Sequence, residues 1–446
     1  MRHAILALLL ACTPAALAAQ HGGSTSNGVA PSSRAAAIDA FVEGFVEYDV
    51  SYTEAARAEA RRAIAALREE QLPSDAALAL ELARIAALAE NGHSAVLPVG
   101  LAAPHAQLGV RFFLADDGLF VADAKEPYAT LIGERVERVA GLTLAELRDV
   151  WSRYTPGPDG HRDESLPLFL ETPALLEAAG LTRDSTRVAL ELAGGRSVEV
   201  EATGGWYGPE PDAVWHFLGG ARAIALARAG RIGGTPLYLG EPDAYFRVVP
   251  LPDHDAVYLQ FRANIDFTRR TDLAQLARAA IDTLRAHSPR FVIVDQRFNV
   301  GGDLNTTRAL MQAIPGIVGE EGGVFAITSG RTFSAGIASV AYLKQAAGDR
   351  LTIVGAPVGD DLEFYAEGDL LVLPGDVLVT RATERHNYMT GCPEADCHGP
   401  IRANPIRIES LEPDVRPRFD YADVVAGRDP YMEEVLRRIE AARGTT

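Results

Sequence analysis

Two stretches of the chain combine residue types that a packed core has no need of. The first, Asp295-Gln296-Arg297-Phe298-Asn299-Val300-Gly301-Gly302-Asp303, follows the apolar run Phe291-Val292-Ile293-Val294 and precedes a helix-period segment near Thr306 to Ile314. Paired glycines directly after a strand let backbone N–H groups approach a ligand, as an oxyanion hole or a phosphate cradle requires. A plain structural turn uses the same residues, so this loop alone decides nothing. The second stretch, Thr328-Ser329-Gly330-Arg331-Thr332-Phe333-Ser334-Ala335-Gly336, also joins a strand (Val324 to Ile327) to a helix (Ser334 to Ala347). A serine at a helix start sits beside unpaired N–H groups and the positive end of the dipole, where an alkoxide and an oxyanion are both stabilised. An ordinary N-cap also puts a serine there. The α/β-hydrolase elbow is excluded, because G-x-S-x-G needs glycine where Thr332 stands.

Taken together, a D-x-R-x-N-x-G-G loop and a T-F-S-A-G loop about thirty residues later resemble the core of C-terminal-processing and tricorn-type serine peptidases. Further landmarks keep that family's order. They are Glu90-Asn91-Gly92-His93-Ser94 (similar to D-G-H-T), Pro236-Leu237-Tyr238-Leu239, Gly355-Ala356-Pro357-Val358-Gly359, Leu411-Glu412-Pro413-Asp414-Val415 and Gly427-Arg428-Asp429-Pro430. The resemblance implies a crotonase-like α/β core with a mainly parallel sheet, Ser334 as nucleophile, and an oxyanion hole from backbone N–H groups of Gly301 or Gly302 and of Ala335. It implies no cofactor and no metal.

The same resemblance allows two bases, a lysine roughly twenty-five residues after the serine or a histidine from the N-terminal part. The chain has only two lysines. Lys125 lies in a β-rich stretch. Lys344, ten residues after Ser334, falls about 280° round the same helix, and the family's lysine position holds Gly359. A histidine base is therefore expected, and His93 is the residue that matches. An imidazole titrating near neutrality can take the serine proton and return it to a leaving amine. A solvated loop histidine is the bland reading of the same residue. Ser94 adjoins His93, and Glu363, Glu367 or Glu384 could orient it. The family often has Glu where Ala356 stands, so the acid stays open.

These residues need elements to hold them. Val257 to Phe261, Phe291 to Val294, Val324 to Ile327 and Leu351 to Val354 read as strands, and the stripe Leu273, Leu276, Ala277, Ala280, Ile281 and Leu284 reads as a helix. Strand and helix alternate, which predicts a parallel sheet with its site at the strand C-termini. Residues 206–446 are thus the expected catalytic core. Residues 35–100 read as a helical region in which a Ser74-Asp75 start precedes Leu78, Leu82, Ile85 and Leu88 and a left-handed cap falls at Asn91-Gly92. Residues 101–205 read as a β-rich unit. Its segment Gly133 to Gly141 with a short helix at Leu144 to Val150 resembles a PDZ strand-turn-helix, although a piece of an ordinary β sandwich reads the same way.

The first 19 residues have the charge, apolar stretch and Ala16-Leu17-Ala18 site of an export leader, and Leu9-Leu10-Ala11-Cys12 also offers a lipoprotein box. A Gly/Ser-rich tether over 20–34 follows. An exported, periplasmic or extracellular protein is expected, anchored to a membrane only if Cys12 is lipidated. Cys392 and Cys397 then form an even pair in an oxidising compartment and are expected as a local disulfide; with His386 and His398 nearby, zinc ligation or free thiols are the alternatives. Forty-two basic against sixty acidic residues give a net charge of −18 with no Lys/Arg stripe, so nucleic acid is not an expected partner. The expected partner is a peptide or protein substrate. An esterase, or a non-catalytic protein that captures peptide ends, would use the same cleft.

Overall fold

A computed structural model describes residues 31–206, 221–266 and 271–444 of the chain. The leader over 1–19, Cys12 and most of the tether lie outside the described residues. The tether's end differs from expectation. Pro31 already opens the helix α1 (Pro31–Phe41), as a residue with fixed φ and no N–H to satisfy can, and Arg34 ties it to the Leu67 carbonyl at 2.6 Å.

The central sheet has strand order β12-β11-β10-β9-β8. Strands β9 (Ala256–Phe261), β10 (Phe291–Asp295), β11 (Gly323–Thr328) and β12 (Leu351–Gly355) are parallel, and β8 (Phe246–Leu251) runs antiparallel at one edge. Every residue of β9 and β10 is buried, which is why these strands read as unbroken apolar runs. On one face their side chains share a core with helices over Leu273–His287, Asn305–Val318 and Ala335–Ala347. The other face is covered by the helix Pro430–Gly444. The packing is tight enough that Leu259→Ala, at 0% exposure, costs about 2–5 kcal/mol.

Register decides where the site can be. Asp295 pairs with Ile327, and Thr328 with Gly355, so the chains leaving β10, β11 and β12 emerge side by side at one edge. Those are the two loops singled out from sequence, plus a third over residues 356–362.

Beyond the third loop the chain makes a long hairpin, β13 (Glu363–Leu373) and β14 (Val377–Asn387), to which β1 (Ala95–Val96) adds as a third strand through Ala95 opposite Thr380. A second, antiparallel sheet is ordered β2-β3-β4-β6-β7, with β5 paired to β4. These strands are Val110–Ala115, Gly118–Ala124, Arg135–Val139, Arg187–Leu192, Ser197–Glu201 and, for β5, Leu142–Thr143. The regions read as 35–100 and 101–205 share one core with Leu373, Val377 and Val379 of the hairpin; they are not separately cored. Among the described residues no helix is long and apolar enough to cross a membrane.

Candidate active site

Ser334 stands at the junction of β11 and the Ala335–Ala347 helix, with φ 53° and ψ −124°. A side chain there is strained by about 1–3 kcal/mol and persists only where its surroundings over-determine it. They do. Phe333 N donates to Asn299 O (2.9 Å), Thr332 Oγ1 to Gln296 O (2.9 Å) and Ser329 Oγ to Arg297 O (2.6 Å), lacing the serine loop to the glycine loop. The glycine loop is fixed from below by the buried Arg297, which donates to both Asp429 oxygens at 2.9 Å and lies 3.0 Å from Asp295. Burial opposes the arginine's charge, but the two carboxylates hold its pKa well above the usual value.

The glycines are required by approach distance. A Cβ on Gly301, at φ 105°, would lie 2.5 Å from Ser334 Cβ, and one on Gly302, at φ 124°, 2.7 Å from the Ile265 nitrogen. The Gly301 N–H is already committed to Asn299 Oδ1 at 3.0 Å, so it is not the free donor expected from sequence. Among the described residues, no acceptor bonds the N–H of Gly302 or of Ala335.

His93 follows the helix Asp75–Ala87, but the left-handed residue at that turn is Glu90, φ 51°, and not Gly92. Asn91 is instead used for docking. Its amide donates to Tyr365 O (2.9 Å) and accepts from Tyr365 N (3.0 Å), clamping the loop to β13. His93 is thereby held with its ring between Phe333, 4.2 Å away at 22°, and Phe364, 4.7 Å away at 5°. Phe333 precedes Ser334, so the stack brings the imidazole alongside the serine loop. His93 Nδ1 is 3.0 Å from Asp360 Oδ2, with the side chains 12% and 5% exposed; His93 Nε2 is buried and has no partner among the described residues.

The acid beside His93 is thus Asp360, and none of the three glutamates weighed from sequence. Glu363 pairs with Arg385 and Asn387, Glu384 with His398, and Glu367 faces His386 and His398. Each sits on the hairpin, past the loop that reaches His93. Nor does Ser94 orient the histidine. It is fully buried and donates to Asp49 Oδ2 (2.7 Å), a carboxylate that also accepts from Ala382 N (2.7 Å).

A residue that sequence reasoning passed over, His161, stacks on the opposite face of Phe333 at 4.6 Å. It comes from the helix Asp159–Leu170, whose N-terminal Gly160 presses on Gly330 of the serine loop. Burial pushes its pKa down to about 4; Asp360 works against that, while His93 and Arg331 add to it. Two more rings extend the stack beyond Phe364: His386 at 4.8 Å and His398 at a further 4.9 Å. His161, Phe333, His93, Phe364, His386 and His398 form one column. Beside its far end Cys392 and Cys397 are joined in a disulfide, as one reading of the sequence expected.

No family model and no curated protein matches the chain. Among solved structures it is similar to mature CPAF complexed with lactacystin, with a TM-score of 0.55 at 12% identity, over 93% of this chain and 99% of that one. Mature CPAF alone gives the same TM-score at 13% identity, over 92% and 98%. The likeness is one of fold and spans nearly the whole of both chains.

Proposed function

We propose that this chain is a serine peptidase of the C-terminal-processing and tricorn type, working through an acyl-enzyme with Ser334 as nucleophile and His93 as base. The observation that carries this is the His93–Asp360 pair at 3.0 Å, stacked on the residue next to a conformationally strained serine. Ser334 Oγ attacks the scissile carbonyl carbon while its proton passes to His93 Nε2. Asp360 accepts from Nδ1–H, which fixes the tautomer and stabilises the imidazolium. The oxyanion is held by the N–H groups of Gly302 and Ala335 at the positive end of the Ala335–Ala347 helix. His93 then gives its proton to the leaving amine, and water, deprotonated by the same nitrogen, releases the acyl group.

The fold shared with mature CPAF and the parallel order β9 to β12 support reading the core as crotonase-like. The antiparallel sheet with its Thr143–Glu146 capping box before Leu144–Trp151 supports a PDZ-like unit that presents peptide ends. The leader and the Cys392–Cys397 disulfide support export to a periplasmic or extracellular site.

Fluorophosphonate labelling of mature protein tests the chemistry. The adduct is expected on Ser334 and is lost in Ser334→Ala and in His93→Ala. Folded wild-type protein that takes no label at Ser334 at any pH would overturn the peptidase reading in favour of a peptide-capturing protein.

A further inference from the structure

The far end of the ring column holds three groups for which the proposed peptidase chemistry has no use. His386 Nε2 and His398 Nε2 lie 3.3 and 3.7 Å from one carboxylate oxygen, Glu367 Oε1, and the three atoms are all within 4.8 Å of one another. Ligand atoms tetrahedrally placed at zinc distances are about 3.3 Å apart, so the two contacts to Glu367 already lie close to the spacing of a coordination sphere.

Three features show that this convergence is built into the fold. The first is a buried nitrogen left with one long contact: His386 is 2% exposed, and among the described residues its Nε2 meets only Glu367 Oε1, at 3.3 Å. Such an atom is costly to bury. The second is that the opposite nitrogen of each ring is occupied. His398 Nδ1 lies 2.8 Å from Glu384 Oε2, and His386 Nδ1 lies 3.3 Å from the Tyr388 hydroxyl. A carboxylate behind a histidine is the outer-shell arrangement that orients ligating imidazoles in metal sites. The third is backbone placement. A bulge at Glu367, φ 67°, interrupts the β13–β14 ladder and re-aims the side chain. His398 N donates to Arg385 O at 2.9 Å, just after the disulfide.

We propose that Glu367, His386 and His398 bind one divalent transition-metal ion of the zinc class. Two imidazoles and one carboxylate suit zinc or cobalt and do not suit magnesium or calcium. Glu367 is 36% exposed, so the ion has an entry path and a solvent-facing fourth position. The cysteines take no part, because both sulfurs are spent in the disulfide; the ligands are the two histidines that sequence reading paired with them, completed by Glu367. Phe364 separates this site from His93, which is why ligation leaves the peptidase chemistry untouched in kind.

Co²⁺ titration of the mature full chain, followed by visible absorbance and by displacement with Zn²⁺ against a chromophoric chelator, tests this without reading activity. One ion per chain is expected. Glu367→Gln and His398→Ala, the two more exposed ligands, should each weaken binding at least 100-fold while circular dichroism stays unchanged, and Glu384→Gln about 10- to 100-fold. Ser334→Ala should bind as wild type does, which keeps this result separate from the fate of the peptidase reading. Wild-type binding no tighter than that of the Glu367→Gln/His398→Ala double variant overturns the proposal.

Discussion

Two histidines of the ring column are set in the same parts. Within the column His93 meets a carboxylate through Nδ1 and, among the described residues, keeps Nε2 unpartnered beside the serine loop. At its far end His398 meets a carboxylate through Nδ1 in the same way, yet its Nε2 faces a second carboxylate and a second imidazole. The difference lies in what the free nitrogen faces. On the proposed reading, an oriented imidazole whose second nitrogen is free beside a serine loop is suited to move a proton, and one whose second nitrogen meets a carboxylate and another imidazole is suited to offer a lone pair to a cation. Residue type alone does not separate a base from a ligand.

The sharpest way to break this comparison is to remove the hydroxyl or the base. Ser334→Ala or His93→Ala should lower kcat by about 10⁴-fold or more in a peptide-hydrolysis assay while leaving Co²⁺ binding intact. Next comes Asp360→Asn, which keeps the shape and loses the tautomer control. A drop of about 10³- to 10⁴-fold in kcat with KM little changed is expected, whereas a purely structural role would move KM and stability instead. Glu363→Gln and Glu384→Gln, made at the other carboxylates, should leave kcat within a few-fold. Phe364 stacks on His93 and on His386, and as a 2% exposed ring its change to Ala should cost about 3–5 kcal/mol of stability, read by urea denaturation, with kcat and metal affinity falling together.

The smallest effect concerns His161. Its folded pKa of about 4 lies below the unfolded value of 6.5, so the unfolded chain binds the extra proton between those limits. Stability from this group is therefore full above pH 6.5 and is lost as pH falls towards 4, by about 3 kcal/mol. His161→Phe keeps the stack and removes the titration. Its melting temperature should fall less than that of wild type between pH 6.5 and 4, and the activity profile above pH 6 should be unchanged, because His161 is already neutral there.

The parallel sheet could be read from the chain because doubly buried strands are apolar runs, and the loops that carry Ser334, Gly301 and Gly302 could be placed at its edge because each follows such a run. Asp360 escaped because it is 267 residues from His93 and carries no local pattern, although it lies one position past the Gly359 at which a family lysine was sought. The β13–β14 hairpin had a usable signal: Pro374-Gly375-Asp376 sits between apolar runs. The helix Asp159–Leu170 was obscured by Pro167 and by an apolar run, Leu166 to Leu170, that is buried on all sides. His161 went with it. The ring column has no sequence signature at all, since its six members come from six separate segments.

Docking of His93 through Asn91 to Tyr365, and of β1 onto β14, bears on when the molecule can first act. On the ribosome, His93 emerges long before Ser334, Asp360 and the hairpin that seats it. Until that hairpin closes, the nascent chain carries a serine loop with no imidazole stacked on it and a His93 with no Asp360 beside it. If the proposed peptidase reading holds, the molecule is its own safety catch: cutting begins only after the last strands have folded.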